Sequence, residues 1–307
     1  MESAVGKDLE RSMRSHPKVS VLLTCWNRED TIQEALKSVV SQDFADREIL
    51  LVDDGSTDRS ISLAEGFPEV KILRNEENRG VVFTRQRALE ESLGEYLLYV
   101  DSDNRLKPGA ISNLVAELEK HSPEVAFVYG QREYFGGRGG LSDFPDFDRD
   151  FLKLRNYVDM TSLFRRKPVA EVGFDERFPG LEDYDLVLSL VGGGYSGVLL
   201  DKPILEYRVH GASLTGGFNW KRRIDMLGRL ARKHRPFFSE DEVKTLIDYN
   251  RAKVVNSLRR RRCFRGPLSE RWADWCETLR FAGVSRQALA ATLYLLLPGW
   301  TQKPPRI

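Results

Sequence analysis

The chain has 307 residues, 41% of them hydrophobic and 30% charged, so it can bury a large core, which argues against a disordered chain. Three cysteines, Cys25, Cys263 and Cys276, are odd in number and lack pair or metal spacing, so neither a disulfide framework nor a zinc site is indicated. The net charge of +1 conceals a split: residues 1–218 carry 27 Lys and Arg against 38 Asp and Glu, residues 219–307 carry 20 against 8.

Residues 1–18 are polar and mixed in charge with no apolar run, which predicts no secretory signal and a cytoplasmic location. Strand-like runs follow at 19–24, 49–52, 70–73, 95–100 and 126–129, alternating with helix-like segments at 29–40, 59–66, 81–92 and 108–121. Pro108 suits a helix start. Alternation of this kind predicts an α/β fold with a mostly parallel sheet flanked by helices. Between 131 and 155 the pattern dissolves into FGGRGG and FPDFD, a long loop of the kind that is functional or disordered. From 219 the chain reads as a basic C-terminal helical region. Its RRRR at 259–262 and uncharged 287–302 favour an anionic lipid surface over nucleic acid, and Pro298-Gly299 interrupts a run too short to span.

The strand at 49–52 ends in Asp53, Asp54, Gly55, Ser56 and Thr57, and the strand at 95–100 ends in Asp101, Ser102, Asp103 and Asn104. Carboxylates where apolar strands stop line the carboxyl edge of a parallel sheet, the ligand edge of such folds, and are hard oxygen donors suited to Mg2+ or Mn2+. Each signature also fits a surface turn, with Ser56 or Thr57 as a helix cap. Gly192 to Gly197 matches G-x-G-x-x-G by letter but follows a helix and precedes a strand, the reverse of a dinucleotide fingerprint. There is no P-loop, no G-x-S-x-G and, among four His, no H-E-x-x-H.

An ordered series covers about two thirds of the chain: VSVLLTCWNR at 19–28, VDDGSTD at 52–58, NRGVVFTR at 78–85, DSD at 101–103, EDYDL at 182–186 and YRVHGAS at 207–213. In this series the chain resembles the inverting glycosyltransferases of family 2, with the GT-A, Rossmann-like fold. Two regions are expected, a nucleotide-sugar-binding catalytic domain over 1–218 and the basic helical region over 219–307, which can lie against a membrane.

The resemblance implies a UDP-sugar donor held by Thr24, Trp26, Asn27, Asp53, Asp54, Arg85 and Ser102. It implies Mg2+ or Mn2+ at Asp103, with Asp101 and His210 beside it, to offset charge developing on the departing diphosphate. Asp183 is the expected general base, because an acceptor hydroxyl needs its proton removed during attack; Glu182 is the competitor and Asp185 a capping residue. The acceptor is expected to be a saccharide or lipid-linked saccharide of surface polysaccharide or glycoconjugate assembly, and the enzyme to be cytoplasmic or peripheral on the inner membrane face. Two departures stand out: Thr24-Cys25-Trp26-Asn27 lacks the family's usual Pro and Tyr, and Asn104 replaces a frequent Asp. Three alternatives use part of the same pattern. They are a polyprenyl-phosphate sugar synthase, an inverting glycoside hydrolase, which needs a protonated acid instead of a metal cluster, and a silent sugar-nucleotide-binding protein.

Overall fold

The computed structural model describes residues 16–137, 139–209 and 220–262. These fall into two compact units, one of 16–147 and 157–209, the other of 148–156 and 220–262. The first is an α/β layer. Strands β1 (Val19–Cys25), β2 (Arg47–Asp53), β3 (Val70–Arg74) and β4 (Tyr96–Asp101) form one parallel run of its sheet in the order β3-β2-β1-β4. Val19, Val21, Leu22, Leu23, Leu50, Leu51, Leu97 and Leu98 are buried, as expected for strands covered on both faces.

Helix α1 (Ile32–Val40) buries Ile32, Ala35, Leu36 and Val39 at helical spacing. After it come α2 (Ser60–Ala64), α3 (Val81–Glu91), the short β5 (Arg105–Leu106) and α4 (Ala110–Leu118). The order reverses at β1, which has β2 on one side and β4 on the other. In open α/β sheets the crevice beyond such a reversal takes the ligand. Register places Cys25 beside Asp53 and Thr24 beside Asp101, so both acidic strand ends flank the end of β1.

The sheet continues through β6 (Val125–Gly136), β7 (Gly140–Leu141), β8 (Leu163–Arg165) and β9 (Ser196–Val209), with α6 (Arg166–Val172) and α7 (Glu182–Gly192) packed among them. Here the loop expected over 131–155 is corrected. Strand β6 runs on to Gly136 because β9 pairs with it from Val125↔Ser196 to Gly136↔Val209, a long-range pairing that no local pattern encodes. Gly192 to Gly197 carries the chain from the last residue of α7 into β9.

The second unit holds α5 (Arg149–Leu154), α8 (Trp220–Lys233) and α9 (Glu240–Arg262). Lys153 bridges α5 to α9 through Glu242 (2.8 Å), and Asp148 caps α5 by accepting from the Asp150 and Phe151 N–H groups. Among the described residues no helix is long and apolar enough to cross a membrane. The apolar run at 287–302 lies outside the described residues, as does His210.

Candidate active site

The two loops beyond β1 and β2 are stapled together. Asn27 adopts a left-handed φ of 50°, its N–H donates to Ser56 Oγ (2.9 Å), and its Oδ1 accepts from the Thr57 N–H (2.9 Å). Asparagine tolerates this backbone better than most residues. Trp26, the residue before it, is 50% exposed, an apolar face open to a ring. Asp53 is fully buried; its two oxygens accept from the Ser56 N–H (3.2 Å each), and Arg74 Nε lies 3.5 Å away. Gly55 has a φ of +72°, and a Cβ there would fall 2.8 Å from the Glu77 carbonyl carbon, so only glycine lets the 53–56 turn approach the 77–80 loop.

Asp54 serves the scaffold. Its Oδ1 accepts from Asn75 Nδ2 (2.8 Å) and the Arg79 N–H (2.9 Å), its Oδ2 from the Gly80 N–H (2.8 Å). Three donated bonds let the buried carboxylate hold the loop that enters α3. Cys25, buried between these loops, has its thiol pushed up to about 11 by burial, which keeps it unreactive.

At the end of β4, Ser102 is buried and its carbonyl accepts from the Thr31 hydroxyl (2.9 Å). The Asp103 carboxylate has Arg28 Nε at 3.8 Å. Asp101 is 38% exposed and pairs with Arg85 Nη2 at 2.9 Å. Partial burial of its carboxyl, offset by Arg85 and aided by Asp103 and Asp159, raises its pKa above the ordinary range.

Arg85 is a strut between the two halves of this edge. Expected beside a diphosphate, it is buried on α3, with Nη1 2.7 Å from Glu182 Oε1 and Nη2 on Asp101. Burial opposes its charge, yet the surrounding carboxylates hold its pKa above the normal arginine value. Glu182 opens α7, and its other oxygen accepts from the Gly180 N–H. The fork therefore fixes the first turn of α7 against the end of β4.

Asp183 follows on that turn. Its Oδ1 accepts from the Tyr184 N–H (2.7 Å). Burial first, and then the Glu182 charge, push its pKa up to about 7, against the pull of Arg85 and the Tyr184 N–H; Asp159 adds to the rise. A carboxyl at that value is suited to take a proton at neutral pH. Asp185 is buried at the same helix start, its N–H bonded to the Leu181 carbonyl (2.8 Å).

Two residues of this neighbourhood escaped the sequence reading. Asp159 accepts from Arg132 Nη1 (2.7 Å) and from the Thr161 N–H (2.9 Å), and its charge acts on Asp101, Asp183 and Tyr207. Arg132 lies over the rings of Phe144 (4.8 Å), Tyr207 (4.8 Å) and Tyr134 (5.3 Å). Arg132 fell within the loop expected over 131–155, and Asp159 lies just beyond it.

Among the described residues no group of three His, Cys, Asp or Glu side chains is arranged to hold a metal ion. Asp101 and Asp103 are hard donors at one strand end, but Asp101 is shared with Arg85. The donor set therefore fits a divalent cation only where the ligand's own phosphate oxygens complete its shell.

The family model for glycosyl transferase family 2 matches residues 20–173. The chain is also 33% identical over 268 residues to an uncharacterized glycosyltransferase of Haemophilus influenzae, covering 80% of each. The chain belongs to glycosyl transferase family 2. It is similar as well to the GalNAc(5)-diNAcBac-PP-undecaprenol beta-1,3-glucosyltransferase of Campylobacter jejuni, at 28% identity over 180 residues, 54% of this chain and 57% of that one. Of an uncharacterized Sinorhizobium fredii protein, 30% identical over 194 residues, it spans 21%.

Among solved structures, S. aureus TarS 1-349 in complex with UDP-GlcNAc superposes at a TM-score of 0.64 and 20% identity over 91% of this chain and 85% of that chain. The Pyrobaculum calidifontis mannosyltransferase PcManGT, in complex with GDP-Man and Mn2+, superposes at 0.57 and 17% over 95% and 93%. These likenesses show that the sheet and its helices have the GT-A fold.

Proposed function

We propose that this chain is an inverting glycosyltransferase that moves a sugar from a UDP-sugar to a hydroxyl of a saccharide or lipid-linked saccharide in surface polysaccharide or glycoconjugate assembly. The observation that carries the proposal is Asp183, a carboxyl with its pKa pushed up to about 7, fixed by the Arg85 and Glu182 strut beside the carboxyl edge of β4. Asp53 is the acceptor for the uracil N3–H and Trp26 its apolar platform, with Thr24, Asn27 and Ser102 shaping the base and ribose side. Asp54 holds the loop beneath them.

A divalent cation, Mg2+ or Mn2+, would be held by Asp103 with Asp101 near it, and would supply positive charge to the departing diphosphate. Asp183 removes the acceptor proton as the hydroxyl attacks from the face opposite the diphosphate, so one displacement inverts the anomeric centre. The relative named for an undecaprenol-linked substrate and the excess of Lys and Arg over 219–307 support peripheral attachment to the anionic inner face of the cytoplasmic membrane. A polyprenyl-phosphate synthase fits less well, since an ionised phosphate nucleophile needs no base of this kind.

The test needs no knowledge of the acceptor. Slow hydrolysis of α-linked UDP-hexoses with Mn2+, followed by proton NMR, should release the β-hexose first. Initial appearance of the α-hexose, or no hydrolysis across a panel of UDP-sugars that bind, would sink the proposal.

A further inference from the structure

Asp103 stands on a turn, and the structure shows what holds that turn still. Asn104 is 1% exposed; its N–H closes the turn on the Asp101 carbonyl (3.0 Å), and its Oδ1 accepts from the Arg208 N–H (2.9 Å). The Arg208 side chain returns to the same turn, donating from Nε to the Asp103 carbonyl (3.0 Å). Its Nη2 pairs with Glu34 on α1 at 2.6 Å. Its guanidinium lies 4.5 Å from the centre of the Phe135 ring, the residue paired with it across β6 and β9. Arg105 approaches the same ring (4.2 Å) and shares Glu34 (3.1 Å).

One side chain thus ties together the Asp101–Asn104 turn, α1 and β6. A planar guanidinium can donate along its edge while its face rests on an aromatic ring, which an ammonium cannot do. We propose that Arg208 is a positioning residue for donor binding, presenting the Asp103 carboxylate to the cation and diphosphate by fixing the peptide on which it stands. The inference rests on the reading that Asp103 serves metal-dependent UDP binding. It assigns Arg208 no contact with substrate.

The experiment is calorimetric titration of UDP into the full chain, with Mn2+ and with EDTA, for the wild type, Arg208→Gln and Arg208→Lys, with a thermal unfolding midpoint for each. Lysine can keep the charge opposite Glu34 but loses the Nε–H bond to the Asp103 carbonyl. Both variants should therefore lose about tenfold or more of the Mn2+-dependent affinity, in line with a lost charge-assisted hydrogen bond, while affinity in EDTA is unchanged. Arg208→Lys should unfold close to the wild type, separating positioning from stability. Full Mn2+-dependent affinity in both variants overturns this proposal alone, as does a loss equal in Mn2+ and EDTA, which marks a merely structural role. Equal wild-type affinity in Mn2+ and EDTA overturns the donor-site reading and this inference together.

Discussion

Replacing Arg85 by lysine tests the strut that joins the two halves of the site. The guanidinium makes two charge-assisted bonds at once, 2.7 Å to Glu182 and 2.9 Å to Asp101, from a side chain that is only 7% exposed. A single ammonium on a flexible stem cannot reproduce both bonds of the fork. One such bond is worth about 1.5–3 kcal/mol, and losing it also leaves a carboxylate underpaired beside Asp183. For a unit of this size about 1 kcal/mol lowers the midpoint by roughly 2–4 °C, so Arg85→Lys should unfold roughly 3–12 °C below the wild type. The assay is thermal and urea unfolding followed by circular dichroism, with turnover measured in parallel. Turnover should also fall, because the first turn of α7 is no longer held against β4. A midpoint within about 1 °C of the wild type, with normal turnover, would show that Arg85 is not the strut described.

Further predictions follow from the same contacts. Turnover should rise with pH through about 7 as Asp183 loses its proton. Asp159→Asn, which removes one charge that raises it, should move that midpoint downward; a pH–rate profile from 5 to 9 with an unmoved midpoint contradicts this. Because the Asp183 carboxyl is raised in the folded state, its ionisation costs stability, a cost absent below its unfolded value near 4 and complete above about 7. Asp183→Asn should accordingly unfold at a higher temperature than the wild type at pH 8 and show no such gain at pH 4, and equal gains at both would refute the assignment. Asp54→Ala removes the acceptor of three hydrogen bonds from the 75–80 loop, two of them from backbone N–H groups, and should cost about 2 kcal/mol or more in urea unfolding; a change under about 0.5 kcal/mol would mean that the loop stands without it.

The run β3-β2-β1-β4 was legible because its strands are continuous apolar runs, 19–24 and 95–100 above all, ending in carboxylates that cannot stay inside. Strands β6 and β9 were less legible. Their pairing joins residues about seventy positions apart, and the glycines and charges of 131–140 read locally as loop. The acids proposed for the site, Asp53, Asp101, Asp103 and Asp183, stand out in the sequence by position and neighbours. The division of labour between Asp53 and Asp54 did not, since only the fold brings the Asn75, Arg79 and Gly80 donors to one of two adjacent acids. Arg85 is the same lesson. Its partner Glu182 lies 97 residues away, so nothing local in the sequence marks the side chain it pairs with.

The central claim is that Asp183 performs proton removal and not donor binding. Its most direct test compares Asp183→Asn with the wild type in one experiment that measures both UDP-sugar affinity by calorimetry and the rate of sugar transfer. The amide keeps the size of the side chain but not its basicity. Affinity should be unchanged within about twofold, while the rate falls by roughly 10²-fold or more. A rate near that of the wild type, or a loss of affinity as large as the loss of rate, would contradict the account.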